Sequence, residues 1–194
     1  MHAAKFHHLR MLGNQGLTYS RVAIALHWLI ALLIILNFIA VWVAEDLPRP
    51  ERIELMANHK AIGITVLILS ILRILWRVTH RAPPFDRSLA IWEVALARIV
   101  HALFYFLIIA IPLTGWGMVS TGGDAVSVFG LFSVPALPVG SDKATGGIFH
   151  EIHEVFGTIM LVLIGLHLLG ALKHQFVDHD ATMARMVPFL RARR

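Results

Sequence analysis

Residues 22–44 read VAIALHWLIALLIILNFIAVWVA, an apolar run that only His27 and Asn37 interrupt. An α-helix rises 1.5 Å per residue, so about 20 apolar residues cross the roughly 30 Å hydrocarbon core of a bilayer. The run is too long for the apolar part of a cleaved signal peptide, which covers only about 7–15 residues. We therefore predict a first membrane-spanning helix in this part of the chain.

Three further segments have the character of membrane helices. The second has a short uncharged centre at 61–72, but Lys60 and Arg73 at its ends can extend their charges toward the membrane surface. The third contains Pro112 and the fourth contains His167. The predicted fold is an all-α, integral-membrane four-helix bundle in a single membrane domain over 1–194. Its helices are expected at about 20–44, 56–78, 95–121 and 149–176, followed by a short tail at 177–194.

The composition of the 194 residues excludes a water-soluble domain. Hydrophobic residues make up 57% of the chain and charged residues 15%, against about 45–50% and 25% in soluble domains. There is no cysteine, so disulfides, zinc–thiolate sites, iron–sulfur clusters and thioether-linked haem are excluded. The reactive side chain in surplus is histidine, with twelve copies.

The positive charges are distributed unevenly along the chain. Thirteen of the seventeen Lys and Arg residues lie in the N-terminal arm, the connection between helices two and three, and the tail. The positive-inside rule therefore predicts that both termini are cytoplasmic. This topology accounts for the net charge of +5, and no nucleic-acid partner is expected. The loops at 45–55 and 122–147 are then extracytoplasmic.

Four histidines lie inside or at the ends of the predicted helices, where an ionisable side chain is costly and indicates a functional site. His27 and His167 each lie six residues inside a basic residue, so both sit about 9 Å from the cytoplasmic rim. His59 and His153 both lie near the opposite rim. His153 and His167, 14 residues apart, share one face of helix four and are separated by about 21 Å along its axis.

This placement predicts two cross-helix pairs, His27 with His167 and His59 with His153. Facing imidazoles in a helix bundle suit axial ligation of a haem iron, and without cysteine the haem would be b-type. Gly63 and Gly157 would let a flat macrocycle approach the backbone. Histidines that only bridge helices by hydrogen bonds remain an alternative. A tetrahedral zinc site needs more closely clustered ligands, and the Glu-x-x-His pattern of di-iron carboxylate proteins is absent.

The chain resembles the bacterial branch of the cytochrome b561 family over about residues 18–188. The combination of motifs is specific, although no single motif is. The matching stretches are SRVAIALHWL at 20–29, NHKAIG at 58–63, His101 and Tyr105 followed by IPLTG at 111–115, His153-Glu154, and GLH at 165–167.

The resemblance implies a multi-pass protein of the bacterial inner membrane with two haem b groups, their irons ligated by the two histidine pairs. It also implies electron exchange with ubiquinone. Some members of the family resemble superoxide:ubiquinone oxidoreductases, whereas others carry electrons for a partner dehydrogenase or a periplasmic redox protein. The predicted extracytoplasmic residues carry a net charge of −4, which favours a basic protein partner over capture of a small anion.

Three further residues are candidate cofactor contacts, each with a structural alternative. Arg73 could pair with a haem propionate through its planar guanidinium, or could simply anchor helix two at the cytoplasmic face. His101 could contact a propionate or a quinone, act as a competing ligand, or bridge helices. His174 matches a family histidine and could donate a hydrogen bond and a proton to a quinone, or could be an ordinary interfacial residue.

Overall fold

The computed structural model describes residues 18–80, 82–85, 89–187 and 189–190. It contains four long helices, each long and apolar enough to cross a membrane, which agrees with the predicted all-α bundle. The elements in chain order are α1 (Arg21–Asp46), α2 (Arg49–Thr79), α3 (Ile91–Ser120), strands β1 (Val126–Val128) and β2 (Phe132–Val134), α4 (Lys143–Phe176), and a 3-10 helix at Met183–Arg185. Seven of the thirteen basic residues that predict the orientation lie outside the described residues.

Three helices begin earlier than the hydrophobic pattern suggests. α2 begins at Arg49 rather than near residue 56, so the expected loop at 45–55 shrinks to a tight connection after α1. Arg52, in the first turn of α2, donates hydrogen bonds to the carbonyl oxygens of Glu45 and Leu47 at 3.0 and 3.2 Å. These bonds satisfy carbonyl groups at the end of α1 that have no partner within their own helix.

α4 likewise begins at Lys143 rather than near residue 149. Asp142 is its N-cap, because its carboxylate accepts hydrogen bonds from the backbone amide and the hydroxyl of Thr145 at 2.9 and 2.7 Å. These two bonds lower the pKa of Asp142 from its ordinary value. α3 also starts slightly early, at Ile91, where the Glu93 carboxylate accepts a hydrogen bond from the Ala90 amide at 2.9 Å. The first turns of these helices are held by polar caps, which an apolar pattern does not reveal.

The helices run antiparallel and bring the start of α1 to the end of α2. Trp76 Nε1 donates a hydrogen bond to Ser20 Oγ at 2.9 Å. At the same end, Lys173 of α4 forms an ion pair with Glu93 of α3 at 2.7 Å. We call this the arginine-rich end, since Arg21, Arg73 and Arg77 lie there, and the opposite end the hairpin end.

The packing of the four helices is uneven. The backbone of α1 packs mainly on α2, α3 packs on α4, and α2 packs on α3. Within the described residues, α4 makes few close backbone approaches to α1 or to α2. The largest buried cluster lies between α3 and α4 and contains Leu107, Ile108, Met160 and Leu163. Side chains on the outside, such as Leu32 and Trp42, are 53% exposed, as expected for a surface that faces lipid.

A two-stranded antiparallel hairpin forms in the connection between α3 and α4, where the sequence predicts only a loop. Val126 pairs with Val134, and Val128 with Phe132. The turn uses left-handed backbone conformations at Phe129 (φ 52°) and Gly130 (φ 73°), which match the right-handed twist of the strands. Val126 and Val128 are buried against Ile64 of α2, so the hairpin covers the space beside α2 and α3 at this end.

Candidate functional site

The first histidine pair lies at the hairpin end, where His59 of α2 faces His153 of α4. The two ring centroids are 6.2 Å apart and the ring planes meet at 78°. His153 Nδ1 donates a hydrogen bond to the carbonyl oxygen of Ile111 at 2.9 Å and lies 3.2 Å from Thr114 Oγ1. Because a carbonyl oxygen only accepts, Nδ1 carries the proton and Nε2 keeps a free lone pair. His153 is thereby in the tautomer of a metal ligand.

Gly115 of α3 leaves the space that the His153 ring occupies. A Cβ atom at residue 115 would lie 3.0 Å from Cε1 and 3.2 Å from Nδ1 of that ring. These distances are shorter than ordinary van der Waals contacts. The Gly in the IPLTG motif therefore lets helix α3 approach His153 closely enough for the hydrogen bond to Ile111.

The second pair lies toward the arginine-rich end, where His27 of α1 faces His167 of α4. Their ring centroids are 6.3 Å apart and the ring planes meet at 73°. Phe104 of α3 packs edge-on against His167 at 5.4 Å between centroids. The structure therefore brings together both histidine pairs that the sequence places at matching depths.

His101 joins this second pair. Its ring centroid lies 5.8 Å from that of His167, close enough to make it a neighbour of the site. Its Nδ1 donates a hydrogen bond to the carbonyl oxygen of Ala97, one turn back in the same helix, at 2.6 Å. Unlike His27 and His167, which are partly buried, His101 is exposed.

Arg73 lies beside the second pair. Its Nη1 atom donates a hydrogen bond to the carbonyl oxygen of Ala23 at 3.1 Å, and Ala23 lies one helical turn before His27. The guanidinium group is thus held near the site while its other N–H groups remain available. It could neutralise a carboxylate of a cofactor held by His27.

His174 is not brought to either pair. Its Nδ1 lies 2.8 Å from a carboxylate oxygen of Asp180 and 3.0 Å from one of Asp178. The ligand atoms of these three residues lie within 4.8 Å of one another, a spacing that a divalent cation could use. Lys173 Nζ already lies 2.6 Å from Asp178 and supplies positive charge to the cluster, which therefore has the character of an ion-pair network at the end of α4.

The geometry of the two pairs fits a haem held between α4 and its neighbours. Two imidazoles on opposite sides of one metal ion, each at about 2 Å, place their ring centroids roughly 6 Å apart, as both pairs do. Each pair also joins helices whose backbones are not closely packed in the described part of the chain. A Cβ atom at Gly63 or Gly157 would meet no protein atom within 4 Å, so each leaves room beside His59 and His153.

Two polar atoms near the first pair are buried and have no hydrogen-bond partner among the described residues, His59 Nδ1 and Asn37 Oδ1. The amide nitrogen of Asn37 donates to the carbonyl oxygen of His59 at 3.2 Å, so Asn37 holds the helix turn that carries the histidine. Sequence reasoning gave Asn37, Thr114 and Gly115 no role. The signal for Asn37 was available, because it is one of two polar interruptions in the first apolar run.

The amino-acid sequence is similar to one family of known proteins and to individual members of it. The family model described as prokaryotic cytochrome b561 matches residues 18–189. The chain is 31% identical over 170 residues to the "Probable superoxide oxidase CybB" of Yersinia pestis, covering 88% of this chain and 96% of that protein. It is 32% identical over 174 residues to the "Cytochrome b561 homolog 2" of Escherichia coli K12, covering 87% of this chain and 90% of the relative.

Proposed function

The chain belongs to the prokaryotic cytochrome b561 family of haem proteins of the bacterial inner membrane, and from this membership we propose a specific electron-transfer reaction. In this proposal, the protein carries electrons between a one-electron donor on the extracytoplasmic side and ubiquinone in the membrane. Two haem b groups, one at each histidine pair, connect the two reactants. The observation that carries the proposal is the presence of two facing pairs, at 6.2 and 6.3 Å, near opposite ends of one bundle.

Haem bound at each pair would supply reversible one-electron chemistry at its iron. The protein residues hold and orient that group. His59 and His153 would hold the haem iron at the hairpin end, and His27 and His167 would hold the iron toward the arginine-rich end. The carbonyl oxygen of Ile111 fixes the tautomer of His153. Arg73 would neutralise a propionate of the haem between α1 and α4.

We infer that the hairpin end faces the extracytoplasmic side, because the positive-inside rule places the arginine-rich end in the cytoplasm. The relative named as a probable superoxide oxidase supports superoxide as the donor. Two superoxide ions would each give up one electron and leave as O₂. One ubiquinone would take up both electrons with two protons and become ubiquinol.

Stopped-flow mixing tests the proposed donor. Superoxide added to the oxidised, purified holoprotein should produce the reduced α-band of a b-type haem faster than superoxide decays spontaneously, and added ubiquinone should reoxidise it. Superoxide dismutase in the same mixture is the control and should abolish the reduction. A protein that dithionite reduces but superoxide does not would contradict superoxide as the donor.

The charge at the hairpin end favours a second candidate, an electron carrier that docks a basic redox protein. The residues at this end carry eight acidic and four basic side chains. One of the basic side chains, Arg52, already bonds to backbone carbonyls of the α1–α2 connection. A negative surface attracts a positive partner in a salt-sensitive manner. This candidate gains support if the stopped-flow experiment shows no reaction with superoxide while both haems are present.

The crowding of Gly115 against His153 leads to a prediction for the haem at the hairpin end. In Gly115→Ala, the new methyl group pushes the His153 ring away and weakens its bond to Ile111. Outer-shell changes of this kind typically cost 10–100-fold in metal affinity, so we expect haem at this site to be retained about tenfold more weakly. Haem transfer to apomyoglobin measures the retention. Gly170→Ala, where a Cβ meets no atom within 4 Å, is the control, and equal retention in both variants would refute the prediction.

A further inference from the structure

A large pocket at the arginine-rich end has no assigned role. It has a volume of about 610 Å³ and lies where the start of α1, the end of α2 and Tyr105 of α3 meet. Three arginines, Arg21, Arg73 and Arg77, line it together with His80. Among the residues that the structure describes, no carboxylate lines it. The volume falls within the range of pockets that bind small molecules.

The wall of the pocket is held by specific contacts. Trp76 Nε1 donates a hydrogen bond to Ser20 Oγ, and that same oxygen accepts from the Ala23 amide at the first turn of α1. The ring of His80 stacks on the Trp76 indole, with 3.7 Å between centroids and 7° between planes. Arg73 is fixed by its bond to the Ala23 carbonyl oxygen. Arg73 is therefore half-buried in the wall of the cavity, whereas Arg21 and Arg77 are exposed at its rim.

The positive charge in the pocket is uncompensated. Within the described part of the chain, no carboxylate lies within 4.0 Å of the guanidinium groups of Arg21, Arg73 or Arg77. Lys173, at the same end of the bundle, shows the contrast, because it is paired with both Glu93 and Asp178. The amide groups at the start of α1 add further positive potential on the same side. Three unpaired guanidinium groups around one cavity are suited to a ligand with negatively charged oxygens.

We propose that this pocket binds an oxyanion carried by an amphipathic molecule. Two amphipathic molecules carry such an oxyanion: an acidic phospholipid of the adjoining leaflet, through its phosphate, and a haem held by His27 and His167, through a propionate. The second source rests on the proposed function, whereas the first does not. The role suggested above for Arg73 involves that residue alone. The proposed site also includes Arg21 and Arg77 as contacts of the oxyanion.

The test compares Arg77→Gln with Arg98→Gln in the full-length holoprotein. Arg98 also belongs to the basic end, where it lies over the Phe85 ring, but it does not line the pocket, so both variants lose one charge from the same membrane face. Native mass spectrometry counts phosphatidylglycerol retained from mixed micelles, with phosphatidylcholine as the neutral reference. The haem-to-chain ratio and the haem midpoint potentials are measured on the same samples.

We expect phosphatidylglycerol binding to weaken about tenfold in Arg77→Gln and to be unchanged in Arg98→Gln, if the oxyanion is a lipid phosphate. A changed haem ratio or midpoint potential in Arg77→Gln alone would identify a haem propionate instead. Arg77→Lys keeps the positive charge but loses the planar, bidentate guanidinium group. This variant should restore part of the phosphatidylglycerol binding or of the haem property lost in Arg77→Gln, which excludes misfolding as the cause. The proposal is overturned if Arg77→Gln matches Arg98→Gln in both measurements. Absence of haem in the wild-type protein would refute the proposed function and leave the lipid measurement standing as an independent test.

Discussion

We expect that replacing His27 or His167 with alanine removes one of the two proposed haems and leaves the other in place. We expect the same result, for the other haem, from His59→Ala or His153→Ala. The physical reason is that the two rings of each proposed pair lie 6.2–6.3 Å apart, so that losing either ring would leave one iron with a single ligand of that pair. The haem-to-chain ratio, measured as the pyridine haemochrome, should fall from two to about one in all four variants.

Redox titration identifies which haem is missing. The two variants of one pair should lack the same midpoint potential, and the two variants of the other pair should lack the remaining one. His101→Ala is the matched control, because His101 lies in the same cluster as His167 but bonds to its own helix at Ala97. Loss of a haem in His101→Ala with full retention in His27→Ala would show that the pairing is incorrect and that His101 is the ligand.

Leucine at Gly63 or Gly157 should abolish haem binding at the hairpin end while leaving the helices folded. Neither position has a protein atom within 4 Å of an added Cβ, so the first carbon of the new side chain meets no neighbouring protein atom. Each glycine lies one helical turn from a proposed ligand, Gly63 after His59 and Gly157 after His153. A leucine side chain there would occupy the space that the macrocycle needs, and the haem ratio should fall to about one.

Gly165→Leu is the control for these two variants. Gly165 also has no neighbour within 4 Å, but it is exposed and lies about 120° around α4 from His153. It should retain both haems. Circular dichroism checks that helix content is unchanged in all three proteins. Full haem content in Gly63→Leu and Gly157→Leu would mean that the macrocycle does not lie against these glycines.

The sequence predicts the fold well because membrane helices are recognised from composition over long windows, and polar interruptions such as His27 stand out against an apolar background. Depth along each helix was enough to match His27 with His167 and His59 with His153. The early starts of α2 and α4 were missed because the residues that precede their first turns, Pro48 and Asp142, lie in polar sequence outside the apolar runs. The hairpin was missed because its strands are only three residues long.

The features of the site that could not be predicted from the sequence are contacts between residues of different helices. The contact of Gly115 with His153 joins residues 38 positions apart, and nothing in the local pattern of α3 specifies the depth of that approach. The basic pocket is another example. Read along the chain, Arg73 suggests a propionate contact or a membrane anchor, and Arg21 and Arg77 suggest basic residues of the cytoplasmic face. The three residues line one cavity only because α1 and α2 lie side by side.

α4 contributes one histidine to each pair, whereas α1 and α2 contribute to one pair each. Since α4 is the last of the four helices along the chain, the ribosome finishes three membrane spans before either pair has its second member. Loading of the two proposed haems would then wait for insertion of this final span, and a nascent chain that stalls before residue 143 would carry neither complete histidine pair.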